Sequence, residues 1–276
     1  MALQQHGGRK SFADSHFVVV GMARNCERHL ETDIARLAAA LAGARSVRWL
    51  VIESDSTDTT PACLQRLQQA RPGFHYKSLG QLAERIPSRP MRIAHCRNAA
   101  LAELRGNPAF AGVDYVVMAD LDGLNQLISP AAIASCWNFD GWDMVGANQR
   151  APYYDVWALR HPMWSPNDCW HQYNFYAARG MAQQAALFAC VYSRMLVIAP
   201  QSPWIEVESA FGGLAIYRRA VLDNGAYAGV GGDGAECCEH VPFHRALRAA
   251  GARLFINPAL INAEWTEHSQ ALRGNA

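Results

Sequence analysis

Two hydrophobic rhythms alternate along the first 150 positions. Residues 17–22 (FVVVGM) are a short β-branched run, and residues 31–42 place apolar side chains at three- and four-residue spacing. The first pattern predicts a buried strand and the second an amphipathic helix. A second apolar run, 47–52 (VRWLVI), ends at Glu53-Ser54-Asp55-Ser56-Thr57-Asp58-Thr59-Thr60-Pro61, ahead of a helix that contains Leu64 and Leu67. Hydroxyl and acidic side chains followed by Pro are helix-start signals. After a loop rich in Pro and Arg, a helix is expected over 93–104, a buried strand over 114–119 (DYVVMA), a helix over 131–136 and a strand over 143–147. This βαβα order predicts an α/β protein with a Rossmann-like, mostly parallel central sheet flanked by helices.

Beyond residue 150 the periodicity fades. Residues 153–170 are dense in aromatics, Arg and His and read as loops that shape a pocket. A strand is expected at 211–217 (FGGLAIY), a Gly-rich loop at 225–234, a helix at 236–250, a strand at 254–256 and a polar, aromatic tail at 263–269 (AEWTEHS). There is no internal repeat or low-complexity linker, and the chain of 276 residues is read as one large domain in two halves.

Composition narrows the function classes. Half of the residues are hydrophobic and 18% are charged, the balance of a globular enzyme. A net charge of +1 gives no electrostatic reason to expect general nucleic-acid binding, although a local phosphate site stays compatible with it. Residues 1–11 lack the apolar centre of a secretion signal, and no apolar run reaches transmembrane length. The expectation is a cytoplasmic protein, with a peripheral place at the inner face of the membrane reached through its substrate. Cys26, Cys63, Cys96, Cys136, Cys169, Cys190, Cys237 and Cys238 show no CxxC spacing and read as buried thiols. Cys237 and Cys238 point along the helix expected at 236–250, a poor arrangement for a mutual disulfide.

Candidate chemistry gathers where strands end. Asp120 and Asp122 flank Leu121 directly after the third expected strand, and ligand crevices of open α/β sheets lie at the carboxyl ends of strands. A bend there turns both carboxylates toward one hard cation, Mn²⁺ or Mg²⁺, that bridges to a diphosphate. A lone DxD triplet is more often a solvated turn; its position after VVMA strengthens the metal reading.

Four segments in order resemble the GT-A glycosyltransferases: Ala23-Arg24-Asn25, the acidic run from Glu53 to Thr60, Arg97-Asn98-Ala99-Ala100-Leu101, and Asp120-Leu121-Asp122. The second half looks more narrowly like the capsule-associated, cryptococcal-type mannosyltransferases, through residues 148–157 (NQRAPYYDVW), 211–217 (FGGLAIY) and 236–240 (ECCEH). The resemblance implies a GT-A domain whose residues 15–150 bind the nucleotide sugar and whose residues 151–276 bind the acceptor and carry catalysis. Ala23, Arg24 and Glu53 would line the nucleoside pocket, Arg97 would approach the diphosphate, and Asp122 would contact the metal most directly, with Asp120 beside it. His268 looks like the late histidine that supplies a further metal ligand, and Gly212-Gly213 would bring backbone near the donor sugar. Glu239 would take the proton of the acceptor hydroxyl in an inverting enzyme, or position the acceptor or donor sugar in a retaining one.

Asp155, Trp157, Arg160, His161 and Trp164 could together build a sugar pocket, because aromatic faces pack on pyranose rings while charged groups bond the hydroxyls. Each assignment has a plainer rival: Arg24 as a surface ion pair, Glu53 as a helix cap, His268 as a surface side chain, and Glu236 and Glu239 as charges at a positive helix end. Gly229 to Gly234 formally satisfies GxGxxG, yet no strand leads into it, and it reads as an acceptor-side loop. The expected reaction is transfer of a hexose from a GDP- or UDP-sugar to a hydroxyl of a glycan or lipid-linked glycan, in surface or capsular polysaccharide synthesis. Mannose follows from the narrower resemblance only. The rivals are a sugar nucleotidyltransferase, whose Gly-rich basic N-terminal loop is lacking between residues 17 and 28, and a non-catalytic sugar-nucleotide-binding protein.

Overall fold

The computed structural model describes residues 10–273. The stretch read as lacking a secretion signal falls largely at residues 1–9, outside the described residues, as do positions 274–276 at the end of the second half.

Within these residues eight strands form one sheet: β1 (His16–Ala23), β2 (Ser46–Glu53), β3 (Phe74–Ser78), β4 (Tyr115–Asp120), β5 (Met144–Gln149), β6 (Ile205–Val207), β7 (Leu214–Arg218) and β8 (Leu254–Ala263). Their order across the sheet is β3-β2-β1-β4-β7-β5-β8-β6. β7 is antiparallel to both β4 and β5, and β6 is antiparallel to β8, while the remaining pairs are parallel. The sheet is therefore mostly parallel, as the βαβα pattern predicts.

Among the described residues seven α-helices flank it: α1 (Leu30–Ala40), α2 (Thr60–Ala70), α3 (Arg89–Gly106), α4 (Pro130–Ala134), α5 (Cys169–Ala177), α6 (Gln183–Cys190) and α7 (His240–Ala249). Side chains alternate across a strand, so the continuous run in β1 feeds two cores at once. Val18 and Val20 pack with Ala100 and Leu101 of α3 and with Phe243 and Leu247 of α7. Phe17 and Val19 face the other way, against Leu30, Ile34 and Leu37 of α1, Leu64 of α2 and Ile133 of α4. Each fully buried side chain of this kind stabilises the fold by about 1.5–3 kcal/mol. Because both faces are covered, β1 and β4 are fixed rigidly and their carboxyl ends are presented at one edge of the sheet.

Several boundaries differ from the sequence reading for identifiable reasons. β7 starts at Leu214 because Gly212 and Gly213 hold φ of +72° and +79°, which interrupts the strand expected from 211. α7 starts at His240, since Val230 pairs with Glu236 in an isolated bridge and the Cys237 N–H donates to the Gly229 carbonyl. Cys237 and Cys238 therefore precede the helix instead of lying along it. All eight cysteines are buried. The edge strands β3 and β6 and the helices α5 and α6 carry too little apolar periodicity to be read from the sequence.

Candidate active site

At the end of β4 the chain turns at Leu121, whose side chain is driven into the core against Gly21 of β1. A Cβ on Gly21 would stand 2.3 Å from Leu121 Cδ1, so the glycine makes room for this anchor. With Leu121 held inward, Asp120 and Asp122 both line the main cavity of the molecule. Asp33 of α1, itself fully buried, accepts a 2.7 Å bond from the Gly123 N–H and fixes the turn from beneath. Burial of the Asp33 carboxyl raises its pKa against that bond.

The same turn is tied to the second half by a buried amide network. Asn125 Nδ2 donates to the Asp120 carbonyl at 2.8 Å, and Asn262 Nδ2 donates to Asn125 Oδ1 at 3.0 Å. Asn262 and Gln149 also donate to the Gly212 carbonyl. The Asp120 N–H donates to the Gly213 carbonyl at 2.9 Å, and the Gly212 N–H donates to Asp155 Oδ2 at 2.9 Å. Asp155 thus clamps the double-glycine turn that carries Asp120. Gly213 lies behind the wall: a Cβ there would meet Leu124 Cδ2 at 1.9 Å. Among these residues the sequence reading reached Gly213, Asp120 and Asp155, and the Asn125–Asn262–Gln149 network has no local signature.

The cavity measures about 1080 Å³ and is lined at one end by Ala23, Arg24, Ser54, Asp55, Arg89 and Arg92. The loops after β1 and β2 are cross-tied there. Asn25, held at φ of +50°, accepts from the Thr57 N–H at 2.8 Å, and Thr59 N–H donates to Glu27 at 2.8 Å. The Cys26 N–H donates to Thr60 Oγ1 at 2.9 Å. Asp55 accepts from the Leu82 and Ala83 N–H groups; burial pushes its carboxyl up, and those two bonds together with Ser54 and the Arg92 charge leave a net lowering. Glu53, expected in the nucleoside pocket, instead stands behind it, buried and accepting from the Ser56 N–H and the Ser78 hydroxyl. Its contribution is to shape the loop that carries Ser54 and Asp55. Arg89 and Arg92, expected in the Pro- and Arg-rich loop, stand in the first turn of α3, which Ser88 starts by accepting from the Met91 N–H.

Further along α3, Arg97 also lines the cavity and is buried, packed over Phe211 with its guanidinium 4.9 Å from the ring centroid. Its Nε donates to Glu239 Oε1 at 2.9 Å, and its Nη2 lies 3.7 Å from Asp120 Oδ1. Arg97 therefore links the DxD carboxylate to Glu239. The Asp120 carboxyl is pushed well above its usual range by burial first and then by the charge of Asp122, against the pull of Arg97. Burial also raises Asp155, offset in part by its bond from Gly212.

The remaining expected residues divide. Glu239, Asp155 and Trp157 line the main cavity, and His268 borders it while stacking face to face on Tyr154, with centroids 5.5 Å apart. Arg160 pairs with Asp168 at 2.6 Å and faces a second cavity with Gly231 and Gly232, whereas His161 and Trp164 border a third. The five-residue sugar pocket is thus not assembled in one place. Among the described residues no three of His, Cys, Asp and Glu stand together as a ligand group. Two adjacent carboxylates of mutually repelling charge nevertheless fit a hard divalent cation, which takes one or two carboxylates and completes its shell with water and phosphate oxygens.

No family model and no curated protein matches the sequence. Solved structures match the fold. S. aureus TarS, residues 1–349, superposes with a TM-score of 0.52 at 14% identity, covering 91% of this chain and 60% of that one. The same protein in complex with UDP gives 0.51 at 13% identity, with 91% and 60% covered. This chain therefore spans about 60% of the solved chains it resembles. The architecture is the GT-A fold: a mostly parallel sheet flanked by helices. In this chain Asp120 closes the central strand β4 and Asp122 follows it.

Proposed function

We propose that this protein is a glycosyltransferase that moves a hexose from a nucleotide diphosphate sugar to a hydroxyl of a glycan or lipid-linked glycan. One observation carries the reading: Asp120 and Asp122 line the same cavity as the basic side chains of Arg24, Arg89 and Arg92. The cavity exceeds the usual range of about 300–1,000 Å³ for a single small ligand, and so has room for a donor and an acceptor group together. A donor diphosphate would lie between the basic wall and the acidic pair. Mn²⁺ or Mg²⁺, held by Asp122 with Asp120, would neutralise the charge that develops on the departing nucleoside diphosphate. The complex of TarS with UDP supports a uridine donor, whereas GDP-mannose rests on the narrower sequence resemblance.

Residues 15–150 would hold the donor and residues 151–276 the acceptor. Glu239, held in place by the bond from Arg97 Nε, would accept the proton of the attacking acceptor hydroxyl, and Asp155 would orient the sugar above the Gly212–Gly213 turn. Ala23 and Arg24 would contact the nucleoside. His268, stacked on Tyr154, would close the site over the phosphates and reach the metal once they are bound. The work would be done on the cytoplasmic side, in the building of a surface or capsular polysaccharide.

The test is release of nucleoside diphosphate from a panel of UDP-glucose, UDP-N-acetylglucosamine and GDP-mannose, with and without Mn²⁺. Metal-stimulated release from one donor, lost in Glu239→Gln while donor binding persists, supports the reading. Binding without release under every acceptor tried favours a non-catalytic binder, and pyrophosphate release from a sugar phosphate and a nucleoside triphosphate favours the nucleotidyltransferase.

A further inference from the structure

Residues 169–205, which include α5 and α6, contain no Asp or Glu, in a chain that has 24 among 276 residues. The two helices pack on each other, and their inner side joins Cys169, Cys190, Val191 and Met195 to Val156 in a small satellite core. Trp170, Leu187 and Tyr192 of the same stretch line the main cavity. The outer side leaves Phe175 51%, Phe188 56% and Met181 39% exposed, and every residue from 178 to 185 is exposed. Arg194 is buried among Ser165, Asn167 and Gln172, so the exposed full charge of the hairpin is Arg179, whose guanidinium lies 3.5 Å from the Phe175 ring centroid.

Large apolar side chains clustered on a protruding element mark a contact surface. Phe, Met and Trp beside an Arg, with no carboxylate across the whole segment, match the chemistry of a bilayer interface: rings enter the head-group boundary, the guanidinium meets lipid phosphate, and no anion is repelled. Continuity with the cavity points the same way, because Trp170, 38% exposed, belongs to both the hairpin and the cavity wall.

We propose that the α5–α6 hairpin docks this chain on an anionic lipid surface, and that the acceptor enters the cavity from that surface. The acceptor half of this inference rests on the transfer reading, whereas lipid docking does not. The test is flotation of the full chain with phosphatidylcholine vesicles containing about one third phosphatidylglycerol, against phosphatidylcholine alone. The wild type floats with the anionic vesicles. Phe175→Ser with Phe188→Ser lowers the bound-to-free ratio by about tenfold or more, and Arg179→Glu removes the preference for anionic lipid.

The proposal is overturned if the wild type stays unbound, if the double variant floats as the wild type does, or if sedimentation shows that the patch instead joins two copies. Should the double variant unfold early, hydrogen exchange of the wild type decides: slower exchange over 175–188 on vesicles upholds docking, and unchanged exchange overturns it. Donor turnover measured without vesicles reports separately on the transfer reading.

Discussion

The buried pair of Arg97 and Glu239 can be dissected by a double-mutant cycle. Both side chains are nearly inaccessible, at 6% and 7% exposure, and meet at 2.9 Å; Asp120 lies 3.7 Å from the guanidinium. Arg97→Met strands the Glu239 carboxylate, and breaking a buried pair in this way costs about 3–5 kcal/mol. Glu239→Gln keeps an acceptor oxygen and leaves Asp120 to balance the guanidinium, so its cost is about 1–3 kcal/mol. With both replacements the Glu239 charge is gone and only Asp120 has lost its cation, so the combined loss should fall short of the two single losses together by about 1–3 kcal/mol. Urea unfolding followed by circular dichroism, with equal m-values across the four proteins, measures the three differences. Additive losses, or an Arg97→Met cost below about 1 kcal/mol, would refute the reading of Arg97 as the counterion that holds Glu239 in place.

Four further outcomes follow from local geometry. His244 is fully buried between the Ser209 and Tyr217 hydroxyls, and burial with the nearby Arg97 charge lowers its pKa from 6.5 to about 3. The unfolded chain takes up this proton first, so stability present above about pH 6.5 should fall on acidification by about 1.4 kcal/mol per pH unit until about pH 3. Unfolding midpoints at pH 7 and pH 5 should show a slope that His244→Gln flattens. Gly213→Ala forces a Cβ toward Leu124 at a φ of +79° and should cost about 1–3 kcal/mol in thermal unfolding while weakening nucleotide binding. Gly80→Ala, also at positive φ but with nothing within 4 Å, should cost about 1 kcal/mol and leave binding intact. Asn262→Leu, which leaves Asn125 Oδ1 without its 3.0 Å donor, should lower nucleotide affinity without touching the ligand, as a titration would show.

The first half of the fold is legible because its strands are buried on both faces and its helices on one. Residues 17–22 and 114–119 could be nothing but central strands, and once their ends are known, Asp120 and Asp122 fall at the sheet edge. The second half depends on interactions between distant positions. β7 runs antiparallel into the middle of the sheet, between β4 and β5, and no local pattern announces that insertion. Asn125, Gln149 and Asn262 act through one another across more than a hundred residues, which leaves each looking like an ordinary polar side chain. Glu53 shows the opposite limit: its position after β2 is legible, but whether its carboxylate faces the cavity or the loop is set by Ser56 and Ser78. α5 and α6 escape notice because their apolar residues lie on both sides, one toward the cavity and one outward.

Calorimetric titration of UDP and GDP into the protein, with and without Mn²⁺, for the wild type and Asp122→Ala, tests the central claim most directly. The account predicts that one nucleotide binds at least about tenfold more tightly with the metal, and that Asp122→Ala abolishes this gain. Equal affinity with and without Mn²⁺, or a gain that survives in Asp122→Ala, would contradict it.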